Sequence, residues 1–222
     1  MNILLDLDGT ILDFHKGEAN SLSKSLKEFL DYDAKIEDIK YFKKINEELF
    51  LNFSEGKMKR IDFQNKRFEL MFEYLNKKAD YEKANLFYIN DLQFQSILYD
   101  DSIDALNYLF KNHKIFIASN GQAFVQYGRI KEANIEKYIT KIYISENLGF
   151  NKPNVNFFKK IFEDLNDYNL DNYIMIGDRL DSDILGAKNI NIKSIYLNRK
   201  GDFSNSFATK NIKSLKELEN IL

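Results

Sequence analysis

Short apolar runs recur along this chain, and each stops at a polar or glycine residue. They span Asn2 to Leu7, Lys114 to Ser119, Lys141 to Ser145, Asn172 to Gly177 and Ser194 to Asn198, and they are rich in Ile, Leu, Phe or Tyr without strict alternation. A strand with one wet face alternates; one that does not is covered on both faces, as in a parallel sheet. Between these runs, apolar positions fall at helical spacing across Ser102 to Lys111, Ala123 to Ala133, Asn154 to Leu165 and Asp181 to Asn189. Strand and helix in alternation predict an α/β domain, a Rossmann-like doubly wound parallel sheet. The tail from Asn211 to Leu222 predicts a last short helix.

The stretch from residue 14 to residue 98 breaks this rhythm. It holds no convincing strand, while Leu22, Leu26, Phe29 and Leu30, and again Phe63, Arg67, Leu70 and Met71, recur at helical spacing. It predicts an all-helical domain inserted after the first strand, so that residues 1–13 and 99–222 form the core and residues 14–98 a helical cap. Phe42, Phe50, Phe68 and Phe72 are expected to pack its interior. Asp13 to Gly17 and Ser96 to Asp101 are the expected hinges.

Composition narrows the function. A length of 222 residues suits one catalytic domain with a modest insert, and 44% hydrophobic against 30% charged residues suits a packed core. A net charge of −2 argues against a surface built for a nucleic-acid polymer, and leaves a single nucleotide open as a ligand. With no cysteine, disulfides and thiolate chemistry are excluded, and zinc would depend on two histidines and carboxylates. The first residues, MNILLDLDGT, lack the marks of a signal peptide. No stretch reaches the roughly 18 apolar residues of a membrane span. A cytoplasmic protein that does not engage membranes is expected.

The candidate chemistry lies where the apolar runs end. Asp6-Leu7-Asp8-Gly9-Thr10 closes the first, and Gly9 permits a sharp turn. In open α/β sheets the ligand crevice lies beyond the carboxyl ends of the strands, where both acids would project. A solvated turn is the ordinary alternative. A calcium loop fails, since counting from Asp6 puts Ile11 and Gly17 where glycine and glutamate are needed. The second run ends in Ser119-Asn120-Gly121, a hydroxyl and an amide able to bond a phosphate. Lys152-Pro153 precedes a predicted helix, where an ammonium would hold a phosphate oxygen and offset nearby carboxylates. The fourth run ends in Gly177-Asp178, with Asp181 as a helix N-cap and Asp183 beyond it. Oxygen donors of this kind suit Mg²⁺. Each piece alone has an ordinary reading, but their order at successive strand ends describes one polar crevice.

These pieces, DLDGT, Ser119, Lys152-Pro153 and Gly177-Asp178 with Asp183 downstream, resemble the signature of the haloacid dehalogenase (HAD) superfamily across the whole core. The resemblance implies a Mg²⁺-dependent phosphohydrolase in which Asp6 is the nucleophile and takes the phosphoryl group. It implies that Asp8 is the acid and base, and that Ser119, Asn120 and Lys152 hold the phosphoryl oxygens. Mg²⁺ would lie between the Asp6 carboxylate, the Asp8 backbone carbonyl and Asp178, with Asp183 and Thr10 supporting these groups. Asp8 sets the chain apart from dehalogenases, which lack this second acid, and from related transport ATPases, which carry Thr there.

A narrower resemblance points to the branch of pyrimidine nucleotidases that removes noncanonical nucleotides. It rests on Leu12-Asp13-Phe14, Asn46 to Phe50, Glu55-Gly56-Lys57-Met58, Arg67-Phe68, Ser119-Asn120-Gly121 with Gln126-Tyr127 and Arg129, and Ser182 to Gly186. Ser119 and Gly9 depart from it, since that branch more often has Thr and an acidic residue there. It implies a small phosphorylated metabolite, a nucleoside monophosphate, as substrate, with Phe14 and Arg67 as candidate substrate contacts. The alternatives are a phosphatase or phosphomutase for a sugar phosphate or another small phosphoester, a phosphoryl-accepting signalling domain, and a non-catalytic phospholigand-binding protein.

Overall fold

The computed structural model describes residues 1–54 and 56–222; Glu55, part of the Glu55-Gly56-Lys57-Met58 string, lies outside them. The chain divides into two compact units, Met1–Asp13 with Ser96–Leu222, and Phe14–Gln95.

The first unit is built on strands β1 (Asn2–Leu5), β2 (Lys114–Ser119), β3 (Lys141–Ile144), β4 (Tyr173–Gly177), β5 (Lys193–Leu197) and β6 (Lys210–Ile212). They form one parallel sheet in the order β3-β2-β1-β4-β5-β6. Successive residues of each strand feed opposite faces. Ile3, Leu5, Ile115, Ile117, Ile174 and Ile176 join one buried cluster, and Leu4, Phe116, Ala118 and Met175 join the other. Two covered faces explain why the runs do not alternate. Each such Ile, Leu, Phe or Met side chain, fully buried, contributes about 1.5–3 kcal/mol.

β6 departs from the sequence reading, which expects a helix from Asn211. The chain first pairs with β5, Leu197 opposite Ile212, and then forms a 3₁₀ turn over Leu215–Asn220 capped by Ser214 and Glu217. Only Ile212 of this strand is buried, so no apolar run marks it. The unit also resumes at Ser96, ahead of residue 99. There Asp13 N donates to Ile97 O at 2.7 Å and Tyr99 N to Ile11 O at 3.2 Å, so this segment runs beside the turn after β1.

In the second unit, α1 (Phe14–Leu30), α2 (Ile36–Ser54), α3 (Arg60–Tyr74) and α4 (Tyr81–Leu92) are the helices among the described residues. Leu22, Leu26, Phe42, Phe68, Met71 and Phe72 are buried, while Phe50 is half-buried between Phe53 and Phe63. Arg67 lies inside this packing, only 4% exposed. Its guanidinium donates to Asn46 Oδ1 at 2.9 Å and Asn85 Oδ1 at 3.0 Å, and stands 4.5 Å from the Tyr88 ring centre. Asn46 in turn donates to buried Glu18 at 2.7 Å. Burial pulls the Arg67 pKa below the usual arginine value, with Tyr88 and Glu18 opposing. Arg67 thus joins α2, α3 and α4 through their interior, and a substrate contact is not proposed for it.

This arrangement predicts that Arg67→Ala, which strands two amide oxygens and opens space among aromatic rings, destabilises the protein by about 2–4 kcal/mol. Urea unfolding measures the loss, and an unchanged midpoint would contradict the interior role.

Candidate active site

The register of the sheet sets the site. Leu5 pairs with Ile117 and with Ile176, so Asp6, Ser119 and Asp178 emerge at neighbouring strand ends. Asp6 N still donates to Ile176 O at 2.9 Å, so the first acid stays tied to the sheet. The chain then turns at Gly9, whose φ of +81° favours glycine and where an added Cβ would stand 2.3 Å from Asp178 Oδ2. Thr10 Oγ1 lies 3.4 Å from Asp6 Oδ2 and 3.2 Å from Asp178 Oδ1, so one hydroxyl serves both acids.

Lys152 is 1% exposed, and its ammonium meets Asp6 Oδ1 at 2.8 Å, Asp183 Oδ1 at 2.6 Å and the Ala118 carbonyl at 2.5 Å. Three donors thus have three acceptors. Burial works against this charge, but Asp183 and Asp6 prevail and hold the pKa above the usual lysine value. The lysine does not sit directly at a helix start. The helix that follows, α8 (Val155–Leu165; counting Ser102–Asn112, Ala123–Glu132 and Ser145–Leu148 as α5 to α7), begins after Asn154, whose side chain caps it. Asn120 secures the lysine instead: its Nδ2 donates to Lys152 O and its Oδ1 accepts from Lys152 N, both at 2.8 Å. That use of the side chain differs from the phosphate contact expected of it.

Asp183 takes the Arg179 backbone N–H at 3.1 Å on its other oxygen, and reaches Lys152 only because Gly177 has no side chain in the way. Asp181 is not the N-cap that spacing predicts. Its carboxylate pairs with the Arg179 guanidinium at 2.6 and 3.0 Å, and a π-turn over Leu180–Ile184 precedes α9 (Leu185–Asn189). Ser119 Oγ accepts from Gly121 N at 3.0 Å and from Gln126 Nε2 at 2.7 Å. With its lone pairs so engaged, the hydroxyl offers its hydrogen, the part a phosphoryl oxygen takes.

Sequence reasoning assigned no role to two supports. Gln126 and Arg129 on α6 reach the Asp8 carboxylate. The available signal was a polar pair at i, i+3 in a stripe otherwise formed by Val125 and Ile130. Beside the turn, Arg199 donates to the Thr10 carbonyl at 3.0 Å and to both oxygens of Asp101 at 2.9 Å. Asp101 also takes Ser214 Oγ at 2.7 Å and Leu215 N at 2.9 Å. Burial disfavours its charge, but these donors hold its pKa below the ordinary value. Nothing in spacing joins residues so far apart. Phe14, in the other unit, opens α1 half-buried with its ring edge near His15.

Carboxylate oxygens of Asp6, Asp178 and Asp183 all lie within 4.8 Å of one another. Burial lifts the Asp6 pKa well above the usual carboxylate value, and Lys152 offsets this only in part against Asp183, Asp178 and Asp8. Three acids facing one ammonium leave excess negative charge in a dry place, and an all-oxygen donor set fits a hard dication such as Mg²⁺.

The family model of the haloacid dehalogenase-like hydrolases matches residues 3–197. The chain belongs to this family. It is 30% identical over 225 residues to YfnB of Bacillus subtilis, described as a HAD-hydrolase, covering 99% of this chain and 94% of that one. It is 30% identical over 198 residues to the pyrimidine 5'-nucleotidase PynA of Streptococcus pneumoniae, covering 88% and 83%. It is 29% identical over 224 residues to the pyrimidine 5'-nucleotidase YjjG of Escherichia coli, covering 99% and 96%. A magnesium-bound crystal structure of YfnB superposes with a TM-score of 0.92 at 28% identity, over 100% of this chain and 97% of that one. No helix among the described residues of this HAD-like hydrolase is long and apolar enough to cross a membrane.

Burial and Asp183 push the Asp178 carboxyl up to about 7, with Arg179 and Thr10 opposing. Below that pH the group keeps its proton, which a cation must displace. Mg²⁺ affinity is therefore expected to weaken as pH falls from about 8 to about 6, with proton release on binding. Calorimetry in buffers of different ionisation enthalpy measures both; binding that neither weakens nor releases protons would contradict the site.

Proposed function

We propose that this chain is a cytoplasmic, Mg²⁺-dependent phosphomonoester hydrolase that works through an aspartyl-phosphate on Asp6 and acts on nucleoside monophosphates, pyrimidine ones foremost. The observation that carries the reading is the Asp6 carboxylate itself. It is buried at a strand end, one oxygen fixed by Lys152, with Ser119 and Asp178 at the adjoining strand ends. The pyrimidine preference rests on the likeness to PynA and YjjG. The Phe14 ring, at the start of α1, is the proposed contact for a flat base.

Asp6 attacks phosphorus, and the bond from phosphorus to the ester oxygen breaks. The leaving oxygen takes a proton from Asp8. Water then attacks the acyl phosphate and gives its proton to Asp8, which frees inorganic phosphate and restores both acids. Splitting one hard displacement into two is what a carboxylate nucleophile offers, and one acid serving in both directions is ordinary general catalysis. Lys152 keeps the Asp6 oxygen pointed and neutralises part of the charge, and Ser119 donates to a phosphoryl oxygen. Asp6, Asp178 and the Asp8 carbonyl would hold Mg²⁺, whose positive charge would draw the phosphate and the Asp6 carboxylate, both anions, together. Asp183 and Thr10 keep Lys152 and the acids in place.

The test is phosphate release from a panel of nucleoside monophosphates and sugar phosphates, with Mg²⁺ or with EDTA. Release that needs Mg²⁺, favours pyrimidine nucleotides and falls by at least about 1,000-fold in Asp6→Asn is expected. A preference for sugar phosphates would overturn the substrate and keep the chemistry. Transfer of the phosphoryl group to a second hydroxyl, seen in a coupled product assay, would mark a mutase.

A further inference from the structure

The proposed acid and base, Asp8, is held from one helix. Gln126 and Arg129 lie one turn apart on α6, and both are buried, at 1% and 0% exposure. Gln126 Nε2 donates to Asp8 Oδ2 at 2.6 Å, and Arg129 Nη1 donates to Asp8 Oδ1. The same Arg129 nitrogen lies 3.3 Å from Gln126 Oε1, which orients the amide so that its NH₂ faces the carboxylate. That NH₂ also donates to Ser119 Oγ at 2.7 Å. The Asp8 side chain keeps 27% of its surface open.

One amide therefore ties the proton-transfer carboxylate to the hydroxyl proposed to hold the phosphoryl group. Room for it comes from Gly121, where an added Cβ would stand 2.4 Å from Gln126 Nε2. A carboxylate offsets the charge of a buried arginine, so a purely structural pair would explain Arg129 alone. It does not explain a second, neutral donor on the other oxygen that also fixes Ser119. Each carboxylate oxygen has two lone pairs, and these contacts use one apiece, so a proton can still come and go.

Building on the phosphatase reading, we infer that Gln126 and Arg129 are positioning residues for Asp8. They set the direction in which its proton travels to the leaving oxygen as the phosphorus–oxygen bond breaks. Their importance then scales with how much the leaving group needs that proton. A nitrophenolate departs without one; a phenolate or a nucleoside alkoxide does not.

The test compares p-nitrophenyl phosphate with phenyl phosphate in kcat/KM, which reports events up to loss of the alcohol. Gln126→Met and Arg129→Met are expected to lower the phenyl phosphate value by about 100-fold, the scale of a misplaced reacting group, and the nitrophenyl value by less than about 10-fold. Arg129→Lys should recover part of the difference. In an Asp8→Ala background, Gln126→Met should cost little more, because its effect passes through a group already gone. Equal losses on both esters, or full additivity with Asp8→Ala, would overturn the inference alone. Wild type that releases phosphate from neither ester nor from any nucleoside monophosphate or sugar phosphate would overturn the phosphatase reading and this inference with it. Should Arg129→Met fail to fold, Gln126→Met and Arg129→Lys decide the matter.

Discussion

The arrangement of the crevice rests on one buried ammonium. Lys152 brings a positive charge to a point where the Asp6 carboxylate, the Asp183 carboxylate and the Ala118 carbonyl meet. Removing one partner of such a buried pair costs about 3–5 kcal/mol, because the other is left charged and dry. The loops after β2, β3 and β4 are shaped to satisfy this charge. Asn120 grips the lysine's own peptide groups, and Gly177 clears the approach of Asp183.

The two acids of the first turn have different surroundings although one residue separates them. Asp6 sits among other carboxylates in a dry pocket with one cation. Asp8 faces a guanidinium and an amide and retains contact with solvent. Different environments would allow two like side chains to divide the proposed nucleophilic and proton-transfer work. Both acids lie past the end of β1 at Leu5, where the chain leaves the sheet and heads into the turn at Gly9.

The strands of the core were readable because burial on both faces leaves an unbroken apolar run. The exception, β6, has a single buried side chain, and an edge strand of Lys, Asn and Ile carries no such mark. The gathering of the candidate residues Asp6, Ser119 and Asp178 was readable because topology alone brings strand ends together. Residues whose role depends on where a side chain points were not. Position suggests Asn120 as a phosphate ligand, and its side chain grips the Lys152 peptide groups. Asp181 has the spacing of a cap and pairs with its neighbour Arg179. Arg67 looks available on a helix and is enclosed by aromatic rings. Gln126 and Arg129 stand more than a hundred residues from Asp8, a separation that only the fold closes.

The Arg199–Asp101 pair gives the turn after β1 an unexpected dependence. Arg199 holds the Thr10 carbonyl, Asp101 holds Arg199, and Ser214 and Leu215 hold Asp101. The DLDGT segment precedes β2, whereas its outermost support follows β6. A nascent chain with every strand through β5 already made still lacks that clasp. The turn after β1 is therefore finished only when the segment that follows β6 has closed on Asp101.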